Sequence, residues 1–476
     1  MHRFVSETTP RVLCIPELLQ GIFQLSPDEA NVNHACVCKA WNEEATRVIW
    51  YDVPASRLFS LLATLVSHQG EDGETYFSFS RAITEDDWDR FDRYSSKVYS
   101  LRFIQRYDPS VFKEIAVGRR RLDFLPNLTT LYDARPTALF AYPRIKHLII
   151  QADTFTSNEV IDWLTLVERR MVYIEQLYIN PQLLPSNDVL PAFTSALRRA
   201  TFLKKLDVPI RYLNDNNFPI LASIPNLQRI YSFHPSWSPD ARNLSARSLS
   251  KLPADPFRSL QDFSACLDFG TATVYIPAIN CFQGLRVLKI TSKAREPPES
   301  YITLINVVAQ HCPGLEVLYL ERQSIVLSLE ESDLTYGRHL QNMLKSLRRL
   351  KSLTLRKFGV RGRVPLRDFL LFAPHSEVLE LLSIDIDSDL ISGDPAYPFP
   401  ALKRLHYEPY SKLRTAPTEV AYFLSRILSP NCKITSNEIS NPELYESFQL
   451  VRTWVPVLIK ARMEEREAAV WDQSRG

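Results

Sequence analysis

A loosely kept pattern, L-x-x-L-x-L, recurs twelve times along this chain and limits what it can fold into more than any other feature. It appears as VYSLRF (98), LTTLYD (128), IKHLII (145), IEQLYI (174), LKKLDV (203), LQRIYS (227), LQDFSA (260), LRVLKI (285), LEVLYL (315), LKSLTL (350), SEVLEL (376) and LKRLHY (402). Side chains alternate across a strand, so the fourth and sixth positions face one side and the third and fifth the other. Amphipathic helices lie between several of the motifs. TSNEVIDWLTLVERR opens with a capping box from Thr156 to Glu159, and TEVAYFLSRILS places Val420, Phe423, Leu424, Ile427 and Leu428 on one stripe. Strand-then-helix units at a mean spacing of about 28 residues cannot bury themselves singly and must stack. The predicted fold class is therefore α/β. An irregular solenoid over residues 96–440 has parallel strands lining one face and helices on the other.

The N-terminal part follows a different period. In CIPELLQGIF, residues Ile15, Leu18, Leu19, Ile22 and Phe23 fall on one stripe of a helix, with Pro16 suited to its first turn. Val37, Trp41, Ala45 and Val48 follow helical spacing further on. Residues 10–54 read as a small three-helix unit after a flexible tail at 1–9. Such a unit is near the lower size limit for independent stability, so its complete apolar stripe calls for a cover. Residues 55–95 read as linking helices and an acidic loop, with SRLFSLLATLVS as a helix and HQGEDGETY as the loop. Residues 441–476 read as a helix capping the last repeat, followed by a charged tail that frays.

Composition narrows the function classes. A net charge of +2 gives no overall attraction to nucleic acid or to a membrane. With 12 glycines in 476 residues, glycine-rich phosphate loops are not expected, and no H-E-x-x-H, G-x-S-x-G or P-loop pattern occurs. Nothing in the sequence supports an enzyme, a metal site or a cofactor. Seven scattered cysteines do not form a disulfide framework. The start MHRFVSETTP lacks an apolar signal core, and no apolar run is long enough to span a bilayer. The expected location is cytoplasmic, nuclear or both.

The segment IPELLQGIF…VCKAW resembles the F-box, on Pro16, Glu17, Leu18, Leu19, Ile22, Phe23, Val37, Cys38, Lys39 and Trp41. WYDVP, from Trp50, is similar to what trails that domain in fungal members. Two features depart from the family pattern: Ile15-Pro16 replaces Leu-Pro, and LSPDEANVNHA lacks the leucine-rich second helix. The region behind it resembles leucine-rich repeats, although the inner-ladder Asn or Cys is absent at every corresponding position. The F-box resemblance implies a partner, a Skp-type adaptor that links the chain to a cullin–RING ubiquitin ligase. Ile15 and the F-box residues just named would make that contact. The repeats would then hold a protein substrate, and the chain itself would contribute no catalytic residue. The alternative is a leucine-rich-repeat protein–protein scaffold outside any ligase.

Two features are candidates for substrate recognition. The fifth motif position is Tyr132, Tyr178, Tyr231, Tyr319 or His406 in five strands, and aromatic residues with a polar tip are frequent interface anchors. They are expected to lie exposed beside buried Leu177, Ile230 and Leu318. The second feature is KSLRRLKSLTLRKFGVRGRVPLR, residues 345–367, with nine basic residues and no acid. Its Arg356, Lys357, Arg361 and Arg363 could grip an acidic or phosphorylated peptide, unless the acids of the next repeat neutralise them.

Overall fold

A computed structural model of the chain describes residues 15–71, 73–132, 137–151, 156–180, 188–233, 246–292, 294, 296–322, 336–356, 363–388, 398–408, 411, 413–436 and 442–473. They fall into two compact units, residues 1–203 and 204–476.

The first unit opens with helices Pro16–Gln24, Asp28–His34 and Lys39–Ile49. Leu19, Phe23 and Ala45 form their core, with Ala35, Trp41 and Val48 packed against it. The Phe23 ring stacks on His34 at 5.0 Å and meets the edge of Trp41 at 5.4 Å. A fully buried amide stands where a leucine-rich helix would supply packing. Asn31 Nδ2 donates to the Phe23 carbonyl at 2.9 Å, tying the end of the first helix to the second.

The third helix runs into a strand, Asp52–Pro54, that pairs in parallel with Ser100–Arg102. The helical region is thus joined directly to a ladder, and Trp50 stacks on Tyr94 at 4.5 Å beside the joint. The ladder continues through Thr130–Tyr132, His147–Ile150 and Gln176–Ile179, each parallel to the last. Val53, Leu101, Leu131, Leu148 and Leu177 stand opposite one another in register, all buried. Helices Glu85–Ser95, Pro109–Gly118 and Ser157–Arg170 make three of the crossovers. The predicted capping box is present, with Thr156 N–H donating to Glu159 at 2.8 Å and Glu159 N–H donating to Thr156 Oγ1 at 3.3 Å. The crossover between Thr130–Tyr132 and His147–Ile150 is the shortest and contains only turns among the described residues.

The second unit repeats the arrangement over Lys205–Pro209, Arg229–Phe233, Asp262–Cys266, Val287–Ser292, Val317–Arg322, Ser352–Arg356, Leu381–Ile384, Arg404–Tyr407 and Lys433–Ser436, all parallel. Its buried row is Leu206, Ile230, Phe263, Leu288, Leu318, Leu353, Leu382, Leu405 and Ile434. Helix Pro298–His311 is pinned to this ladder by Tyr301, whose hydroxyl donates to the Leu320 carbonyl at 2.9 Å.

Four expectations are corrected. The helix expected across 56–67 stops at Ala55–Phe59, and Leu65–Gln69 pairs antiparallel with Thr75–Phe79. The acidic loop is the hairpin's turn, where Gly73 adopts φ +76°, a conformation that glycine takes without a steric penalty. A helix and a strand were both open to this apolar run; the partner strand decided between them. The eleventh repeat lies three residues further on, as LELLSI from 379, because Leu382 stands opposite Leu353 and Leu405. Leucines at both 379 and 382 made either register plausible in sequence. The ladders also extend past the predicted motifs, to Asp52–Pro54 and Lys433–Ser436. Finally, the last helix does not fray where expected but runs from Pro442 to Gln473. It buries Phe448, Val451, Val455 and Ile459, and Arg462 reaches back to the Ser425 carbonyl at 2.7 Å.

Candidate protein-interaction surfaces

The N-terminal stripe divides into two sets. Leu19 and Phe23 are 1% and 0% exposed, whereas Ile15, Leu18 and Ile22 retain 41%, 46% and 44% exposure. The reason is angular: five apolar positions cover more of the helix than the neighbouring helices can reach. Leu19, Phe23 and the half-buried Trp41 are structural, which corrects the expectation that the whole stripe is free to dock. Pro16, Glu17, Val37, Cys38 and Lys39 are exposed. Leu25 and Val32, which sequence reasoning missed, are 90% and 50% exposed in the same helical region. An isolated exposed leucine means little, but several within one small element make it a candidate interaction surface.

The strand faces opposite the buried rows come next. In the first unit Arg102, Tyr132, Ile149 and Tyr178 stand in register. In the second unit the row is Asp207, Tyr231, Ser264, Lys289, Tyr319, Thr354, Ser383, His406 and Thr435, every member polar. Leu177, Ile230 and Leu318 are buried as expected. Tyr132, Tyr178, Tyr231, Tyr319 and His406 are half-buried rather than exposed, because in-register neighbours about 4.8 Å away cover their flanks. Arg229 lies 5.2 Å and Lys289 5.8 Å from the Tyr231 ring centre.

Around Tyr319 the second unit's face forms a depression of about 410 Å³ lined by Tyr319, Thr354, Arg356, Ser383, Arg404, His406, Glu408 and Thr435 among others. Glu408, 1% exposed, is its anchor. Arg356 Nε donates to one Glu408 oxygen at 2.9 Å, and Ser383 Oγ donates to the other. Arg356 Nη1 also donates to the Tyr319 hydroxyl at 3.3 Å, and that hydroxyl donates to Glu321 at 2.6 Å. His406 Nδ1 lies 2.8 Å from Thr435 Oγ1. Burial opposes the charge on Arg356, but its bonds to Tyr319 and Glu408 outweigh this and hold its pKa above the usual value. Burial pushes the Tyr319 phenol up to about 12, so it stays protonated at neutral pH. Polar groups bonded to each other in this way are held in fixed positions. Glu408, Ser383 and Thr435 gave no sequence signal, since only strand pairing brings them beside Arg356.

The basic segment is not a single positive surface. Lys351 pairs with Glu316 at 2.9 Å, Arg356 with Glu408, and Arg363 with Asp387 at 3.9 Å. Asp387 is one of the acids the sequence had pointed to; Glu380 instead pairs with Lys403 at 3.0 Å. Lys357 and Arg361 lie outside the described residues. Among the described residues no helix is long and apolar enough to cross a membrane, and no group of three or more His, Cys, Asp or Glu is placed to hold a metal ion.

No protein-family model matches this chain, and no curated protein does. Among solved structures it is similar to a chain in the crystal structure of a Rad7 and Elc1 complex in yeast. The two are 14% identical over 88% of this chain and 81% of that one, with a TM-score of 0.35. A TM-score this low falls short of a shared fold.

Proposed function

We propose that this protein is a non-catalytic substrate receptor of a cullin–RING ubiquitin ligase. Its first helices act as an F-box that docks a Skp-type adaptor, and its strand ladders hold a protein substrate. One observation carries the reading: Ile15, Leu18 and Ile22 remain open although Leu19 and Phe23 already give the three helices their own core. The co-occurring Val37, Cys38, Lys39 and Trp41 favour an F-box over an unrelated helical unit. Direct pairing of Asp52–Pro54 with Ser100–Arg102 supports it further, since a receptor must hold its docking element rigidly against its repeats. The polar row from Asp207 to Thr435, with the depression at Arg356 and Glu408, is the proposed substrate face in the second unit.

The test is affinity capture of the full chain followed by mass spectrometry. Adaptor and cullin peptides that disappear with Leu18→Asp/Ile22→Lys are the expected result. Robust capture of other partners with no adaptor or cullin would replace the receptor with a scaffold.

A further inference from the structure

The first unit contains a groove of about 640 Å³ that neither the helical stripe nor the strand faces account for. It lies where helix Pro109–Gly118 ends at Arg119 and helix Ser157–Arg170 ends at Arg169 and Arg170, and all three arginines line it. Its walls include Leu122, 77% exposed, Val172, 39% exposed, and buried Leu139. Its volume is within the range of about 300–1,000 Å³ typical of ligand pockets.

Charge distinguishes this groove from the depression in the second unit. Asp123 is the one carboxylate lining it among the described residues, and Arg144 already pairs with Asp123. Among the described residues Arg119 Nη1 donates to the Leu122 carbonyl at 3.2 Å and Arg170 Nη1 to the Ala138 carbonyl at 3.3 Å, neither to a carboxylate. Arg169 is exposed and makes no hydrogen bond or ion pair among the described residues. Arginines at helix ends have an ordinary role, offsetting about half a negative charge at each C-terminus. Two helix ends account for only about one of these charges, so the groove stays positive.

We propose that this groove binds an acidic protein segment that presents an aliphatic side chain between carboxylates. The aliphatic group would lie on Leu122, Leu139 and Val172, and the carboxylates would meet the arginine forks. A nucleic acid fits less well. The groove's aromatic lining is Tyr142, 6% exposed, which leaves no open ring face for base stacking. The inference does not depend on the ligase reading, because it concerns no residue of the adaptor or strand surfaces.

The test uses the full chain and a fluorescein-labelled peptide of alternating Glu-Glu-Leu, read by anisotropy. Binding should weaken steeply as salt rises, and a Gln-Gln-Leu counterpart should bind at least about tenfold more weakly. Arg169→Glu, at an exposed position with no partner to lose among the described residues, should weaken binding severalfold, and Arg119→Glu/Arg169→Glu further. Arg169→Lys should retain most of it, and thermal melts confirm that each variant is folded. Equal binding by folded Arg169→Glu and the parent would overturn the proposal. So would a Glu-only peptide that binds as tightly as Glu-Glu-Leu. A single-stranded oligonucleotide that displaces the peptide at equal or lower concentration would reassign the groove to nucleic acid.

Discussion

Replacing Leu18 with aspartate and Ile22 with lysine separates docking from folding in the N-terminal helices. Leu18 lies in the first turn of its helix and Ile22 near the last, so each new charge has the sign that the helix dipole favours. Both side chains are more than two-fifths exposed, and the cost to stability should stay below about 1 kcal/mol each. Binding should respond very differently. Fully burying such a side chain contributes about 1.5–3 kcal/mol, so covering the exposed two-fifths of Ile15, Leu18 and Ile22 contributes about 2–4 kcal/mol in total. That corresponds to roughly 30- to 1,000-fold in the dissociation constant. The double variant should lose most of this and also desolvate two charges at the contact. Calorimetry with a purified Skp-type adaptor measures the loss, and urea unfolding measures stability. Phe23→Ala is the contrasting variant: it empties the core between His34, Trp41 and Ala45 and should cost about 3–5 kcal/mol. An adaptor affinity within threefold of the parent would refute the docking face. Unfolding of the first helices by the double variant, as with Phe23→Ala, would show that the exposed half of the stripe is structural as well.

Three further outcomes follow from single contacts. Asn31→Ala removes the buried donor to the Phe23 carbonyl and should destabilise the helical region by about 1–3 kcal/mol in urea titrations. Asp87 is 2% exposed, and Arg81, with Thr84 and Arg90, holds its carboxyl far below the usual carboxylate range. Its contribution is therefore complete above the unfolded value near 3.9 and is lost as pH falls below that. Asp87→Asn should lower stability by about 2 kcal/mol at neutral pH and flatten the acid limb of the profile, as followed by circular dichroism. Glu408→Ala leaves Arg356 and Ser383 without their shared acceptor and should cost about 2–3 kcal/mol, with substrate capture reduced along with it.

The repeat strands, and the direction most of their side chains face, follow from neighbouring residues alone. All twelve motifs place a large aliphatic or aromatic residue at position four, and eleven of these stand in the buried register, among them Leu131 to Leu177 and Leu206 to Leu353. Leu101 and Leu405 complete the series. Alternation and the cost of leaving these residues in water allow no other face. The three N-terminal helices and the capping box at Thr156 are also local and were legible. Other features depend on partners distant in the chain. Leu65–Gln69 is a strand because Thr75–Phe79 pairs with it, and the eleventh repeat starts at 379 because Leu353 and Leu405 flank Leu382. Which half of the N-terminal stripe stays open was set by Ala45 and Trp41. Lys351, Arg356 and Arg363 of the basic run at 345–367 were paired with Glu316, Glu408 and Asp387, while Arg119 and Arg170, about 50 residues apart, were brought to one groove. Hydrophobic period is written in neighbouring residues, but charge compensation and concavity arise only when separate segments meet in space.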